Sequence, residues 1–197
     1  FRSAAIPGVK VVVPSNPYDA KGLLMSAIQE DNLVVFSEDK TLLGQKGNVP
    51  EEPYTIEIGK ANVTREGDDL TIVAIGKMVA VAEETAEKLA EDQVSVEVID
   101  LRSVSPWDQE TVLDSVKKTG RLIVIDESNP QCNIAGDVAS VIGDVGFDYL
   151  DGPIKKVTAP DTPVPFAANL EAAYMPNADK VLDIASELID DLKKANA

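Results

Sequence analysis

The side chains of this chain that could do chemistry are carboxylates, lysines and one thiol. Asp and Glu number 34, Lys and Arg 18, and histidine is absent. Without an imidazole there is no Ser-His or Cys-His pair, no histidine general base and no His-ligated zinc. The adjacent carboxylates Glu51-Glu52, Asp68-Asp69, Glu83-Glu84 and Asp190-Asp191 fall in turns or opposite apolar helix stripes, where solvation explains them. Asp126-Glu127 differs, because it follows directly on the apolar run Leu122–Ile125. In open parallel sheets the carboxyl ends of the strands face the ligand crevice. Asp100 after Val94–Ile99 and Gly76 after Leu70–Ile75 would sit at the same edge. Two roles stay open for Asp126 and Glu127: part of a working face, or caps on the amides of the following loop. Cys132 stands in an Asn-Pro-Gln-Cys-Asn loop; without a histidine partner it reads as inert. Trp107 reads as a packing anchor. There is no GxxxxGK[ST], GxGxxG or GxSxG, so P-loop, Rossmann and serine-hydrolase chemistry fall away.

The elements that would position these residues follow from periodicity. The pattern predicts strands over Val9–Val13, Leu33–Phe36, Leu70–Ile75, Val94–Val98, Leu122–Ile125 and Ile154–Val157. Leu70–Ile75 reads as buried on both faces, and Val94, Val96 and Val98 as alternating. Helices are predicted over 18–30, 78–91, from Ser105-Pro106-Trp107-Asp108 to Gly120, over 134–146, and after the Asn177 cap. The last helix carries Val181, Ile184, Ala185, Leu188, Ile189 and Leu192 on a wide apolar face. Ser105 is the expected cap and Pro106 the first helical residue of the third helix. Residues 38–66 are rich in breakers and read as a linker with one extended piece, Tyr54–Ile58; the proline-rich stretch 158–165 reads as an irregular loop. This alternation implies an α/β protein, a mainly parallel sheet with helices on both faces.

Composition narrows the function classes. The chain is 197 residues long, 44% hydrophobic and 26% charged, enough to bury a core. Its net charge of −16 argues against nucleic acid and anionic membranes and favours a basic partner or plain solubility. One cysteine allows no internal disulfide or CxxC site and fits a reducing cytoplasm. No apolar run approaches the ~20 residues of a membrane span. The start, Phe1 to Ala5, lacks an apolar signal core and an initiator methionine, the mark of a processed chain or a fragment.

Four blocks then converge: GVKVVVPSNPYDAKGLLMSAIQEDNLVVF (8–36), EVIDLRSVSPWD (97–108), RLIVIDESNPQCNIAGDVAS (121–140) and VTAPDTPVPFAANLEAAYMPNADKV (157–181). Together they resemble the beta subunit of the thiamine-diphosphate-dependent 2-oxo acid dehydrogenases. Within that family the DESNPQCNIAGDVAS stretch is most similar to acetoin dehydrogenase beta subunits; pyruvate dehydrogenase beta subunits typically read His-Glu near Asp126-Glu127. The resemblance implies that residues 1–66 are the end of a pyrimidine-binding domain plus linker, and 67–197 a transketolase C-terminal-like domain. It implies a complex that cleaves acetoin with thiamine diphosphate and magnesium and passes the acetyl unit to a lipoyl group. The cofactor-activating glutamate and the substrate-side histidine of the family have no counterpart here. No catalytic or cofactor-binding residue is therefore assigned, and the chain alone is expected to be silent and to hold no cofactor firmly. The implied partners are an alpha subunit, a second beta subunit in a heterotetramer, and the peripheral-subunit-binding domain of the acyltransferase core. A structural potassium ion, bound in some members, would map to Ala27, Ile28, Glu30 and Asn32, with Glu30 in place of the usual aspartate. The alternatives are a pyruvate or branched-chain 2-oxo acid dehydrogenase subunit, a docking or oligomerisation module, and a flavodoxin-like electron carrier; the last lacks a hydroxyl-rich phosphate loop.

Overall fold

The fold is known from a computed structural model that describes residues 2–195, with side chains described over 3–189. Leu192 and Asp190-Asp191 lie outside the described side chains. Among the described residues eight strands form two sheets. In the larger, β4 (Leu70–Ala74), β5 (Val96–Asp100), β7 (Leu122–Asp126) and β8 (Lys155–Thr158) are parallel, in the order β5-β4-β7-β8. Strand β3 (Asn62–Arg65) adds antiparallel to β5 at the edge. In the smaller sheet β1 (Lys10–Val12) lies between parallel β2 (Val34–Phe36) and antiparallel β6 (Ser103–Ser105). The expected boundary between residues 66 and 67 thus falls between β3 and β4.

Every residue of β4, β5 and β7 is buried, which requires a layer on each face. Helices α2 (Met78–Glu91) and α6 (Ala178–Ala195) cover one, packing Val79, Ala82, Ala86 and Leu89 with Val181, Ala185 and Leu188. The opposite face packs Val112 and Val116 of α3 (Gln109–Thr119) with Val138 and Ile142 of α4 (Ile134–Val145). Helix α1 (Pro17–Gln29) lies on the smaller sheet, where Val12, Leu23 and Ile56 form a separate small core. Among the described residues no helix is long and apolar enough to cross a membrane.

Helix ends follow their local chemistry. Asn16, Asn133 and Asn177 accept the backbone N–H groups of Asp19, Gly136 and Lys180, and Gly120 closes α3 at φ 69°. The start of α3 corrects the expectation. Its cap is Asp108, which accepts from the Thr111 N–H at 3.2 Å and hydroxyl at 2.8 Å. Ser105 instead ends β6, and Pro106 precedes the helix after a cis peptide bond. Tyr54–Ile58 carries no helix or strand; its Ile56 N–H bonds Gly22 O and Ser26 Oγ, which ties it to α1. Two further elements differ. Asn62–Arg65, inside the expected linker, is a strand. The stretch Ala168–Tyr174, inside the block 157–181 but assigned no element from the sequence, is a helix, α5.

Nor does β5 present the wet face that its alternation suggests. Glu97 is 3% exposed and pairs with Lys118 of α3. Burial alone would raise its pKa; the Lys118 ammonium and the Ser115 hydroxyl outweigh it and hold the carboxyl below its usual value.

Candidate functional site

The parallel strands bring Gly76, Asp100 and Asp126 to one edge, as their positions after apolar runs imply. Against this edge lies the smaller sheet with α1. The edge carries two polar groups, both shared between early and late parts of the chain.

The first surrounds Asp100, which is fully buried. Its Oδ2 accepts the Ser15 hydroxyl and its Oδ1 the Arg102 N–H at 2.9 Å. The Arg102 guanidinium donates to Asp19 Oδ1 at 2.6 Å, and Asp19 is also fully buried. Asn16 Nδ2 completes the chain, donating to Asp19 Oδ2 at 2.8 Å. Desolvation pushes the Asp100 carboxyl up to about 6, against the lowering pull of the Ser15 and Arg102 hydrogen bonds; Asp19 adds to the rise and the Arg102 charge opposes it. Arg102 takes a left-handed backbone, φ 57°, which the Asp100 hydrogen bond to its own N–H holds.

The second group is Lys77, between Glu127 at 2.8 Å and Asp39 at 3.3 Å. Burial pulls the ammonium pKa down, but Glu127 and then Asp39 raise it overall. Lys77 follows β4, Glu127 follows β7, and Asp39 comes from the loop after β2.

Asp126, also fully buried, accepts the Ser128 N–H at 2.9 Å and its hydroxyl, as well as the Ala135 N–H at 3.5 Å. Asp126 is therefore a loop cap, and Glu127 an ion-pair partner. Trp107 is the expected anchor: it is 8% exposed and donates Nε1–H to Asp137 Oδ2 at 2.8 Å, joining the β6–α3 connection to α4. Cys132 is exposed, at φ 52°, on the rim of a cavity of about 590 Å³ shared with Pro106, Trp107, Asn133 and Asp137.

Ala27, Ile28, Glu30 and Asn32 gather at the carboxyl end of α1, where helix carbonyls lack intrahelical donors. Ile28 and Asn32 are exposed, and Glu30 pairs with Lys10 Nζ at 2.6 Å. Carbonyl and carboxylate oxygens suit a hard cation; the Lys10 ammonium competes for the same carboxylate. Among the described residues no three His, Cys, Asp or Glu side chains converge as a metal centre would require.

Ser15, Asp19, Arg102 and Lys77 carry no motif. The one available signal is position: Arg102 and Lys77 directly follow strands that end at the crevice edge. The edge clusters bond groups to one another and leave no fully buried carboxylate open to a ligand. Their chemistry is cohesion between the two sheets.

A doubly covered parallel sheet with an antiparallel edge strand, joined at its carboxyl edge to a second α/β layer, defines the class. The family model for the transketolase C-terminal domain matches residues 59–181, and the chain belongs to that family. It is 54% identical over 185 residues to the acetoin:2,6-dichlorophenolindophenol oxidoreductase subunit beta of Bacillus subtilis, covering 94% of this chain and 54% of that protein. The Cupriavidus necator protein of the same description is 48% identical over 176 residues, covering 89% of this chain and 52% of that protein. The pyruvate dehydrogenase E1 component subunit beta of Bacillus subtilis is 48% identical over 185 residues, covering 93% and 57%. The chain thus spans about half the length of the curated relatives it matches. A solved chain described as split gene transketolase, inactive beta4 tetramer, shares the fold at a TM-score of 0.81 and 24% identity, covering 95% of this chain and 59% of that one.

Proposed function

We propose that this chain is the assembly-bearing part of the beta subunit of an acetoin-cleaving dehydrogenase complex. The observation that carries the reading is the 54% identity to an acetoin oxidoreductase beta subunit across 94% of the chain. The pyruvate dehydrogenase subunit of the same bacterium, at 48%, supports the second reading, a pyruvate-specific beta subunit. Residues 1–66 serve as the end of a pyrimidine-binding domain plus linker and 67–197 as the C-terminal domain, with β3, just before the boundary, pairing as an edge strand with β5 beyond it. Thiamine diphosphate with magnesium supplies the carbanion chemistry in the whole complex. This chain has no histidine and no glycine-rich phosphate cradle, so the groups that hold and activate the cofactor belong to the remaining length of the subunit. Here the chain contributes position: the buried Asp19–Arg102 and Lys77 clusters fix one layer against the other. Potassium held by the carbonyls of Ala27 and Ile28 with Glu30 and Asn32 would brace the end of α1. The complex is placed in the cytoplasm.

Grafting tests the reading. The chain replaces its counterpart in the Bacillus subtilis acetoin subunit, and in parallel in the pyruvate subunit, each assembled with its own alpha subunit. Dye reduction should return with acetoin in the first graft and be much weaker with pyruvate in the second; the reverse preference assigns the chain to pyruvate, and no activity in either rejects both. The same assay in potassium against sodium salts reads the cation site: equal rates and equal melting in the two salts remove it.

Docking to the acyltransferase core follows from charge. A basic peripheral-subunit-binding domain would meet a chain of net charge −16. Such association should weaken steeply with salt, because exposed charges are screened beyond about 10 Å at 0.1 M. Titration of the chain with that domain at low and high salt checks it; affinity that ignores salt removes the acidic surface as the docking face.

A further inference from the structure

Residues 37–61 contain no helix or strand, and over 38–58 only Ile56 is buried. A run that long without regular structure needs other ties to hold its place. At one end Asp39 pairs with Lys77 at 3.3 Å. At the other, Ile56 docks on the face of α1 that carries Tyr18, Gly22 and Ser26, each four residues from the next. Gly22 admits it: a Cβ there would stand 2.6 Å from the Ile56 side chain. Tyr54 stacks on Tyr18 with ring centroids 4.6 Å apart, and donates its hydroxyl to Tyr18 O at 2.8 Å.

Between these ends the tie is Lys21. Its Nζ donates to Glu51 O and to Glu52 O, each at 3.0 Å, and to Pro50 O. It also stands 5.1 Å from the centre of the Tyr54 ring. An ammonium has three donors, and three carbonyls receive them. The arrangement is a cation cage whose cation arrives on a tether. Carbonyl oxygens turned to one point repel one another unless positive charge stands between them. Among the described residues, no other hydrogen bonds join residues 40–53 to α1.

The same tie closes a space. A cavity of about 230 Å³ lies between Asn16, Pro17 and Ala20 at the start of α1 and Leu42, Leu43 and Gln45 of the irregular segment. Where a cavity stands in place of packing, apolar burial adds little to closure, and the charged hydrogen bonds decide it.

We propose that residues 38–58 are a strap over the amino end of α1, latched by the Lys21 ammonium in the cage of the Pro50, Glu51 and Glu52 carbonyls, and that releasing the latch opens the cavity beneath. The two ends stay attached, through Asp39 and through Tyr54 and Ile56, so the movement is confined to the middle of the strap. Nothing in this depends on which substrate the whole complex cleaves.

A glutamyl endopeptidase reads the latch directly. To cut after Glu51 it must take the Glu51 carbonyl into its own oxyanion hole, and in the closed strap Lys21 holds that carbonyl. In the 197-residue chain, Lys21→Met keeps the apolar stem and removes the donors. It should speed cleavage after Glu51 at least about tenfold relative to the other glutamyl bonds of the same chain, a latch worth about 1.4 kcal/mol. Ammonium or methylammonium chloride should slow that cleavage again by entering the vacated cage. Tetramethylammonium, with the same charge and no N–H, should not. Lys21→Arg should be cut at an intermediate rate, because a planar guanidinium keeps the charge but cannot turn three donors to one point. The cavity is read separately. In a Cys132→Ser chain, the thiol of Ala20→Cys should react slowly with a thiol reagent while Lys21 is present, and faster by a similar factor beside Lys21→Met.

Equal cleavage after Glu51 in the wild type and Lys21→Met overturns the proposal. So does an acceleration spread over all glutamyl bonds, which would make Lys21 a general stabiliser. A rescue that tetramethylammonium shares would be salt screening and overturns it as well. Equal labelling of the Ala20→Cys thiol with and without Lys21 would show that the strap does not close the cavity.

Discussion

Arg102→Met should destabilise the protein by about 3–5 kcal/mol, the range for removing one partner of a buried ion pair. The substitution keeps most of the apolar stem and deletes the guanidinium that donates to Asp19 at 2.6 Å. Asp19 is fully buried, so water cannot replace the lost partner; Asn16 alone remains. Because Asp19 lies in α1 and Arg102 beyond β5, the loss should loosen the smaller sheet first. Urea unfolding gives the magnitude, and hydrogen exchange in β1 and α1 gives the location. A loss below about 1 kcal/mol, the value of an exposed pair, would mean the two side chains are solvated in solution.

Asp100→Asn should change the pH dependence of stability rather than stability everywhere. The folded-state pKa of Asp100 is raised from 3.8 to about 6. The folded protein therefore binds this proton more tightly than the unfolded chain does. Stability from this site is fully present below about 3.8, falls as pH rises, and is lost above about 6. A displacement of that size is worth about 3 kcal/mol. Asparagine keeps the acceptor for the Arg102 N–H and carries no charge. The variant should match the wild type near pH 4 and exceed it by about 3 kcal/mol at pH 8. Carboxyls held below their usual values, Asp39, Glu97 and Asp108, work in the opposite sense at lower pH, but they are common to both proteins and cancel in the comparison. Parallel stability curves for the two proteins from pH 4 to 8 would show that Asp100 titrates normally.

Much of this fold is legible in the sequence, because its signals are local. Asn16, Asn133 and Asn177 precede their helices as caps, Gly120 closes α3, and the apolar runs of β4 and β7 are too continuous to be anything but doubly covered. Strands β3 and β6 are hidden because each is short, polar and sustained only by a distant partner: Asn62 by Asp100, Val12 by Ser103. Two good capping residues compete before α3, and Asp108 prevails because the backbone of Ser105 is taken by Val11. The burial of Glu97 is hidden for the same reason: the alternation is visible, but Lys118 is not visible as its neighbour. Position after a strand singles out Asp100 and Asp126 as edge residues. It does not reveal that Ser15, Asp19 and Arg102 close around one of them, since that closure joins residues 83 and 85 positions apart.

The way β6 pairs has a consequence for how the chain is made. A ribosome delivers β1 and β2 early, yet the third strand of their sheet, Ser103–Ser105, arrives only after β3, β4, α2 and β5 have been synthesised. Until then the free edge of β1, with its run of valines, stays open to pairing with another nascent chain. Val12 is reached by Ser103 just after the centre of the larger sheet emerges, so the later half of the molecule completes the earlier one. Slowing translation between Arg65 and Ser103 should lengthen that exposure and lower the soluble yield, while the same pause after Ser105 should be harmless.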